Sequence, residues 1–157
     1  MITLITRHIY RRGLNALERG DIEELLKQFD AACTLTFVGD TPLGAQLTGL
    51  EAIGRWFERF GRLLPKPSFE IQRLLTSGPP WNQRLASHVV IRSTVDGEPY
   101  RNQFAHFLTL RWGRVCDDLI LEDTQMWERA CKRLVAAGVG EAAEGPLLGA
   151  VDGPRES

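Results

Sequence analysis

The sequence carries no excess of charge, no long apolar run, no paired cysteines and few histidines. Its 19 basic and 20 acidic residues leave a formal net charge of −1. Nothing in that balance drives the chain as a whole toward nucleic acid or an anionic membrane, so neither is an expected partner, although a local basic patch remains compatible with it. No stretch approaches the length needed to span a bilayer, and the opening MITLITRHIYRRG has too short an apolar run for a secretory signal. The expected compartment is the cytoplasm. Cys33, Cys116 and Cys131 form no CxxC pair, and three thiols cannot close a disulfide framework. They are read as reduced core residues. Three well-separated histidines give no legible metal site, and no metal or organic cofactor is expected.

What is present is one domain with a real core: 157 residues, 43% hydrophobic and 25% charged. The domain is expected over residues 1–137. The remainder, 138–157, is rich in Gly, Pro and small residues and is expected to be loosely held unless a partner or its PLLGAV patch docks it. Helical periods place Ile5, Ile9 and Ala16 or Leu17 on a first stripe, Ile22, Leu25, Leu26 and Phe29 on a second, and Ile53, Trp56, Phe57 and Phe60 on a third. Asp21 can cap the second helix, and Thr48 with Glu51 has the spacing of a capping box for the third. After Pro67 the pattern alternates, which predicts antiparallel strands over FEIQRLLTSG, RLASHVVIRSTV, YRNQFAHFLTLRW and GRVCDDLILEDT. A last helix carries Met126, Ala130 and Leu134. The expected fold is α+β: a cone-shaped barrel of strongly curved antiparallel sheet, with three helices from the N-terminal half on its concave face and a short C-terminal helix.

Alternation assigns faces. In FAHFLTLRW the even positions Phe104, His106, Leu108, Leu110 and Trp112 are apolar except for one histidine, so His106 points inward. An Asp96-Gly97 hairpin pairs positions summing to 193, setting Ser87 opposite His106 and leaving His88 on the outer face. For the next hairpin, a three-residue turn RWG with Gly113 left-handed spares Trp112 a positive φ. That turn predicts Asp118 opposite His106 and Glu122 opposite Asn102, both facing the pocket. The outer face gathers Ala86, Val90, Ala105, Phe107, Leu119 and Leu121, an apolar stripe expected to pair two copies as a homodimer. Trp56, Phe57, Phe60, Ser87, Phe104 and Leu108 are candidate ligand contacts, with plain core packing as the alternative for Trp56 and Phe57, as for Trp112.

One acid remains. Asp40 stands alone in VGDTPLGAQLTG, where turn chemistry and a catalytic carboxylate are competing readings. The stretches ALERGDIEELLKQF and DTPLGAQLTGLEAIGRWF and the WGRV hairpin resemble the SnoaL-like and ketosteroid-isomerase-like members of the nuclear-transport-factor-like, cystatin-like superfamily, over about residues 3–136. In those isomerases the proton-shuttling carboxylate lies nine residues before the Gly opening the third helix, as Asp40 does before Gly49. The resemblance implies that Asp40 is the base and that His106 lies near the position of an acidic oxyanion donor. The isomerases' oxyanion tyrosine corresponds to Gly13, so that group is missing, and Tyr10, one turn away, is not taken as its replacement. Polyketide-cyclase-like members imply a pocket histidine paired with an acid, roles open to His106 with Asp118 or Glu122.

The resulting expectation is a hydrophobic pocket performing cofactor-free proton transfer, of isomerase, cyclase or dehydratase type, on an apolar, steroid- or polyketide-like molecule. Asp40 is the expected base, His106 polarises the developing oxyanion with Ser87 or Asp118 fixing its tautomer, and Glu122 is a reserve acid. The alternative is a non-catalytic ligand-binding or dimer-forming module of the same fold.

Overall fold

A computed structural model describes residues 2–149. Among them, helices α1 (Ile2–Glu18) and α2 (Ile22–Leu26) lead into strands β1 (Phe29–Phe37) and β2 (Ala45–Thr48), and α3 (Leu50–Leu63) follows. A meander of β3 (Ser68–Ser77), β4 (Gln83–Val95), β5 (Glu98–Arg111) and β6 (Arg114–Glu122) then runs into α4 (Thr124–Ala136). A 3-10 turn at Gly140–Ala143 and a short strand β7 (Leu147–Leu148) end the described chain. The strand order is β3-β4-β5-β6-β1-β2-β7. The α+β class holds, but the sheet is open, with β3 and β7 as edges, and is not a closed barrel. It is also mixed: β1 runs parallel to β6, and β7 parallel to β2. No hairpin joins either pair, so neither is forced to be antiparallel.

Several local expectations shift. The buried stripe of α1 is Thr6, Tyr10, Gly13, Leu14 and Ala16, whereas Ile5 is exposed. The helix thus buries a polar hydroxyl and a phenol where an aliphatic stripe was expected. Asp21 does cap α2, accepting from the Glu24 amide at 3.0 Å. Phe29, placed on that helix by its period, is already in β1. Gly49, with φ 91°, caps α3 without a side-chain bond, so the Thr48–Glu51 box does not form. On α4 the buried residues are Trp127, Ala130, Cys131 and Leu134, while Met126 lies outside the stripe.

The first hairpin has the expected register: Asp96 and Gly97 both take positive φ, and Ser87 pairs with His106. The second differs. Arg111 pairs with Arg114 across a two-residue Trp112-Gly113 turn, and Trp112 adopts the positive φ of 50° that the three-residue turn was meant to avoid. An extra residue in β6, between the Thr109–Asp117 and Leu110–Val115 pairs, then shifts the ladder. Asp118 consequently lies opposite Leu108 and Glu122 opposite Phe104, each two residues from the predicted partner. A shift of two preserves facing, so both acids still point inward.

The segment after α4 is docked as far as residue 149. Glu141 and Glu144 both pair with Arg59, whose side chain is 8% exposed, and Glu141 also binds Arg62. The Arg59 guanidinium further donates to the carbonyls of Pro42 at 3.0 Å and Gly145 at 3.1 Å. The rest of the predicted tail, 150–157, lies outside the described residues. On the outer sheet face Phe107 and Leu121 are exposed, Ala86, Ala105 and Leu119 are partly so, and Val90 is already covered within the chain.

Candidate active site

The apolar stripes of α1, α2 and α3 face the concave side of the sheet across a cavity of about 80 Å³. That is roughly half the size of an engineered apolar cavity that admits benzene, so larger ligands require the lining to yield. Trp56, Phe57, Phe60, Phe104 and Leu108 line it, with Phe29, Phe37 and Phe69. Polar groups are few: Tyr10, Gln28, His106, Asp118 and Glu122.

Three of these form one chain of bonds. His106 Nε2 lies 2.6 Å from Asp118 Oδ1, and His106 Nδ1 lies 3.0 Å from the Tyr10 hydroxyl, which is 2.6 Å from Ser87 Oγ. Asp118 is 2% exposed and Tyr10 4%. A carboxylate only accepts, so Nε2 carries a proton toward Asp118; in the neutral ring Nδ1 is then the acceptor for the phenol, and Ser87 donates to the phenol oxygen. Burial pushes the Tyr10 hydroxyl well above its ordinary range, which keeps it a neutral donor. Ser87, expected as a ligand contact, stands behind Tyr10 and is not among the cavity-lining residues.

Glu122 occupies the β6 end away from the Trp112-Gly113 turn. Burial, reinforced by the neighbouring Asp123 charge, pushes its carboxyl up to about 8, so at neutral pH it is mainly a carboxylic acid. Asn102 donates to Oε2 at 3.4 Å, while Oε1 is enclosed without a partner. Toward the opposite end Gln28 also has an enclosed, unpartnered amide nitrogen, and its Oε1 lies 2.8 Å from where a Cβ on Gly13 would sit. Where the resemblance set the isomerases' tyrosine, Gln28 leaves no room. The phenol comes instead from Tyr10, one turn earlier.

Asp40 is not part of this constellation. It is exposed and lines a separate groove with Thr41, Pro42 and residues of α4. The turn that follows it is pinned from α3: Trp56 Nε1 donates to the Leu43 carbonyl at 2.8 Å, and Arg59 holds that of Pro42. Thr41 to Ala45 are buried beneath this anchoring, and Asp40, preceding them, is turned outward. The base role expected of it has no access to the cavity. Gln28 was the residue missed, and Tyr10, set aside as a replacement for the isomerases' tyrosine, is the phenol of the site; the hydroxyl of Thr6 one turn before it was the available sign that this helix face is polar. Cys33 and Cys131 are buried, and burial pushes both thiols up, in keeping with core roles. Among the described residues no cluster of His, Cys, Asp or Glu is arranged to hold a metal ion.

Comparison with known proteins agrees with this architecture. The family described as SnoaL-like domain matches residues 10–117. Bal32a, from a soil-derived mobile gene cassette, is 21% identical with a TM-score of 0.70, covering 81% of this chain and 96% of its own. The BvnE pinacolase of Penicillium brevicompactum, 11% identical, superposes with a TM-score of 0.74 over 88% of this chain and 99% of its own. A protein of Xanthomonas campestris pv. campestris described as a candidate polyketide cyclase is 12% identical, with a TM-score of 0.59 over 81% of this chain and 96% of its own. At such identities the likeness is one of fold. Comparison with curated proteins gave no match.

Proposed function

The chain belongs to the SnoaL-like domain family, and from that premise we propose that its cavity is the active site of a cofactor-free proton-transfer enzyme. The substrate is a small, mostly apolar molecule with a carbonyl or enolisable oxygen. The observation that carries this reading is the Ser87–Tyr10–His106–Asp118 chain set in an otherwise apolar cavity. Asp118 orients the imidazole and stabilises the imidazolium that forms when His106 takes a proton through Nδ1. The Tyr10 hydroxyl then turns from His106 to the substrate oxygen, donating where negative charge develops. Glu122, neutral and with an unpartnered oxygen, gives its own proton to the substrate at the far end of the same cavity, and after product leaves, His106 loses a proton to solvent and Glu122 regains one from it. Each role is filled by a side chain, so the step as written draws on no organic cofactor.

The test is exchange of substrate protons for deuterium, followed by NMR, over a panel of apolar ketones and phenols. Wild-type protein is expected to accelerate exchange on at least one compound, and Tyr10→Phe to slow it about 10²-fold. Compounds that bind in the cavity without any exchange favour the ligand-binding module instead.

We also propose that two copies meet through the outer sheet face, because Phe107 and Leu121 stand exposed beside Ala86 and Leu119 on a face that alternation makes apolar. Sedimentation at micromolar concentration is expected to give a dimer, and Phe107→Asp a monomer that retains the cavity.

A further inference from the structure

The near-zero net charge averages over a segregated distribution. Residues 1–17, 71–95 and 99–116 contain no Asp or Glu. At the end of the molecule that holds the β3–β4 loop and the β5–β6 hairpin, these segments expose Arg84, Arg111 and Arg114, and Arg7, Arg11 and Arg73 line a groove between α1 and β3. Among the described residues none of the six forms an ion pair. The same end carries the most exposed aromatic groups of the chain. Trp81 in the β3–β4 loop is 55% exposed and Trp112 at the hairpin tip 76%, with ring centroids 6.1 Å apart. Leu4 and Ile5 of α1 are exposed nearby, since the Thr6 hydroxyl bonds Gln83 at the start of β4.

Trp112 stands in an unfavourable place in two respects. It is a bulky residue at positive φ, where Asn, Asp or Gly is the ordinary choice, and its ring faces water. Beyond a ring contact with Trp81, which is itself exposed, folding gains nothing evident from either feature, which points to a contact outside the chain.

We propose that this end docks on an anionic lipid bilayer surface. Indole rings settle at the headgroup level of membranes, and arginines around them meet anionic headgroups. Rings projecting from two loop tips suit insertion into a soft phase better than seating on a rigid partner. No helix among the described residues is long and apolar enough to cross a membrane, so the contact is peripheral. Gly113 packs close to Ile9, which lines the cavity, so the docked face lies at the cavity's edge, where an apolar ligand dissolved in lipid would enter. The proposal stands on charge and exposure alone and survives if the cavity proves non-catalytic.

The experiment is co-sedimentation of the full chain with vesicles of phosphatidylcholine alone and of phosphatidylcholine with about 30% phosphatidylserine, with tryptophan emission read in parallel. Binding is expected only to the anionic vesicles, with a blue shift, and is expected to weaken as salt rises. Arg111→Glu with Arg114→Glu should reduce affinity at least 25-fold, since each arginine near such a surface contributes about fivefold. Trp112→Asn should weaken binding while leaving the melting temperature unchanged or higher, an outcome opposite to that of a structural tryptophan. Equal binding to neutral vesicles, no vesicle binding, or binding indifferent to these substitutions would overturn the proposal. So would association with polyglutamate but not with vesicles, which would assign the face to an acidic polypeptide.

Discussion

Asp40 follows β1 and Glu122 ends β6, two strands that lie side by side and parallel, with Phe37 level with Ile120. One carboxylate stands in solvent beside α4; the other closes one end of the cavity. Glu122 is still on its strand, so the alternation Asp118, Ile120, Glu122 carries it inward. Asp40 is three residues past its strand, beyond Gly39 with φ 133°. There the path is set by what grips the turn, namely Trp56, Arg59 and the docked segment beyond α4. A carboxylate's role thus depends on whether strand geometry or a turn's anchors decide its direction.

The sharpest way to break this contrast is to remove the group that the inward acids serve. His106→Ala is expected to lower proton-exchange activity by 10² to 10⁴-fold with the fold intact, measured by NMR exchange and circular dichroism. Undiminished exchange would return the chemistry to some other residue. The next largest effect is on the grip that turns Asp40 out. Arg59→Ala leaves the Pro42 and Gly145 carbonyls without their donor and is expected to cost about 2 kcal/mol in urea unfolding. A neutral result would mean that the turn holds its course unaided.

Glu122 sharpens the contrast through pH. Its folded-state pKa is raised, so its contribution to stability is fully present below about 4.5, its unfolded value, and is lost as pH rises through about 8. Melting temperature should decline across that window in the wild type, and Glu122→Gln should flatten the decline. An unchanged slope would show a carboxyl already ionised and hydrated. The smallest effect is expected at the outward acid: Asp40→Asn should alter exchange by less than twofold and stability by under about 0.5 kcal/mol, as for a surface residue.

Much of the site was legible because strand alternation is local. His106, Asp118 and Glu122 face inward on the parity of their positions, and even a mistaken turn at Trp112-Gly113 left that parity intact because the ladder moved by two residues. The fold class was legible for the same reason, through alternating strands and helical stripes. Tyr10 was set aside because it lies one turn from the family's tyrosine position, and its bonds to Ser87 and His106 leave no mark in the sequence of a basic helix. Asp40 was misdirected by family spacing: the parity of Thr34-Leu35-Thr36-Phe37 stops at the strand end, and nothing in VGDTPLGAQLTG names Trp56 and Arg59 as the anchors of its turn. The docked segment after α4 was legible only in its PLLGAV patch, whose Leu147–Leu148 pairs with β2; its anchor was unreadable, since a helical wheel places Arg59 among apolar neighbours with no sign of its carbonyl and carboxylate partners.

The most direct test of the central claim is a crystal structure with an apolar ketone or phenol that the protein binds. The account predicts a ligand oxygen within about 2.6–3.2 Å of the Tyr10 hydroxyl or the His106 ring, inside the cavity. A ligand seated in the groove beside Asp40, with the cavity left closed and the Tyr10–His106 bond unbroken, would contradict it.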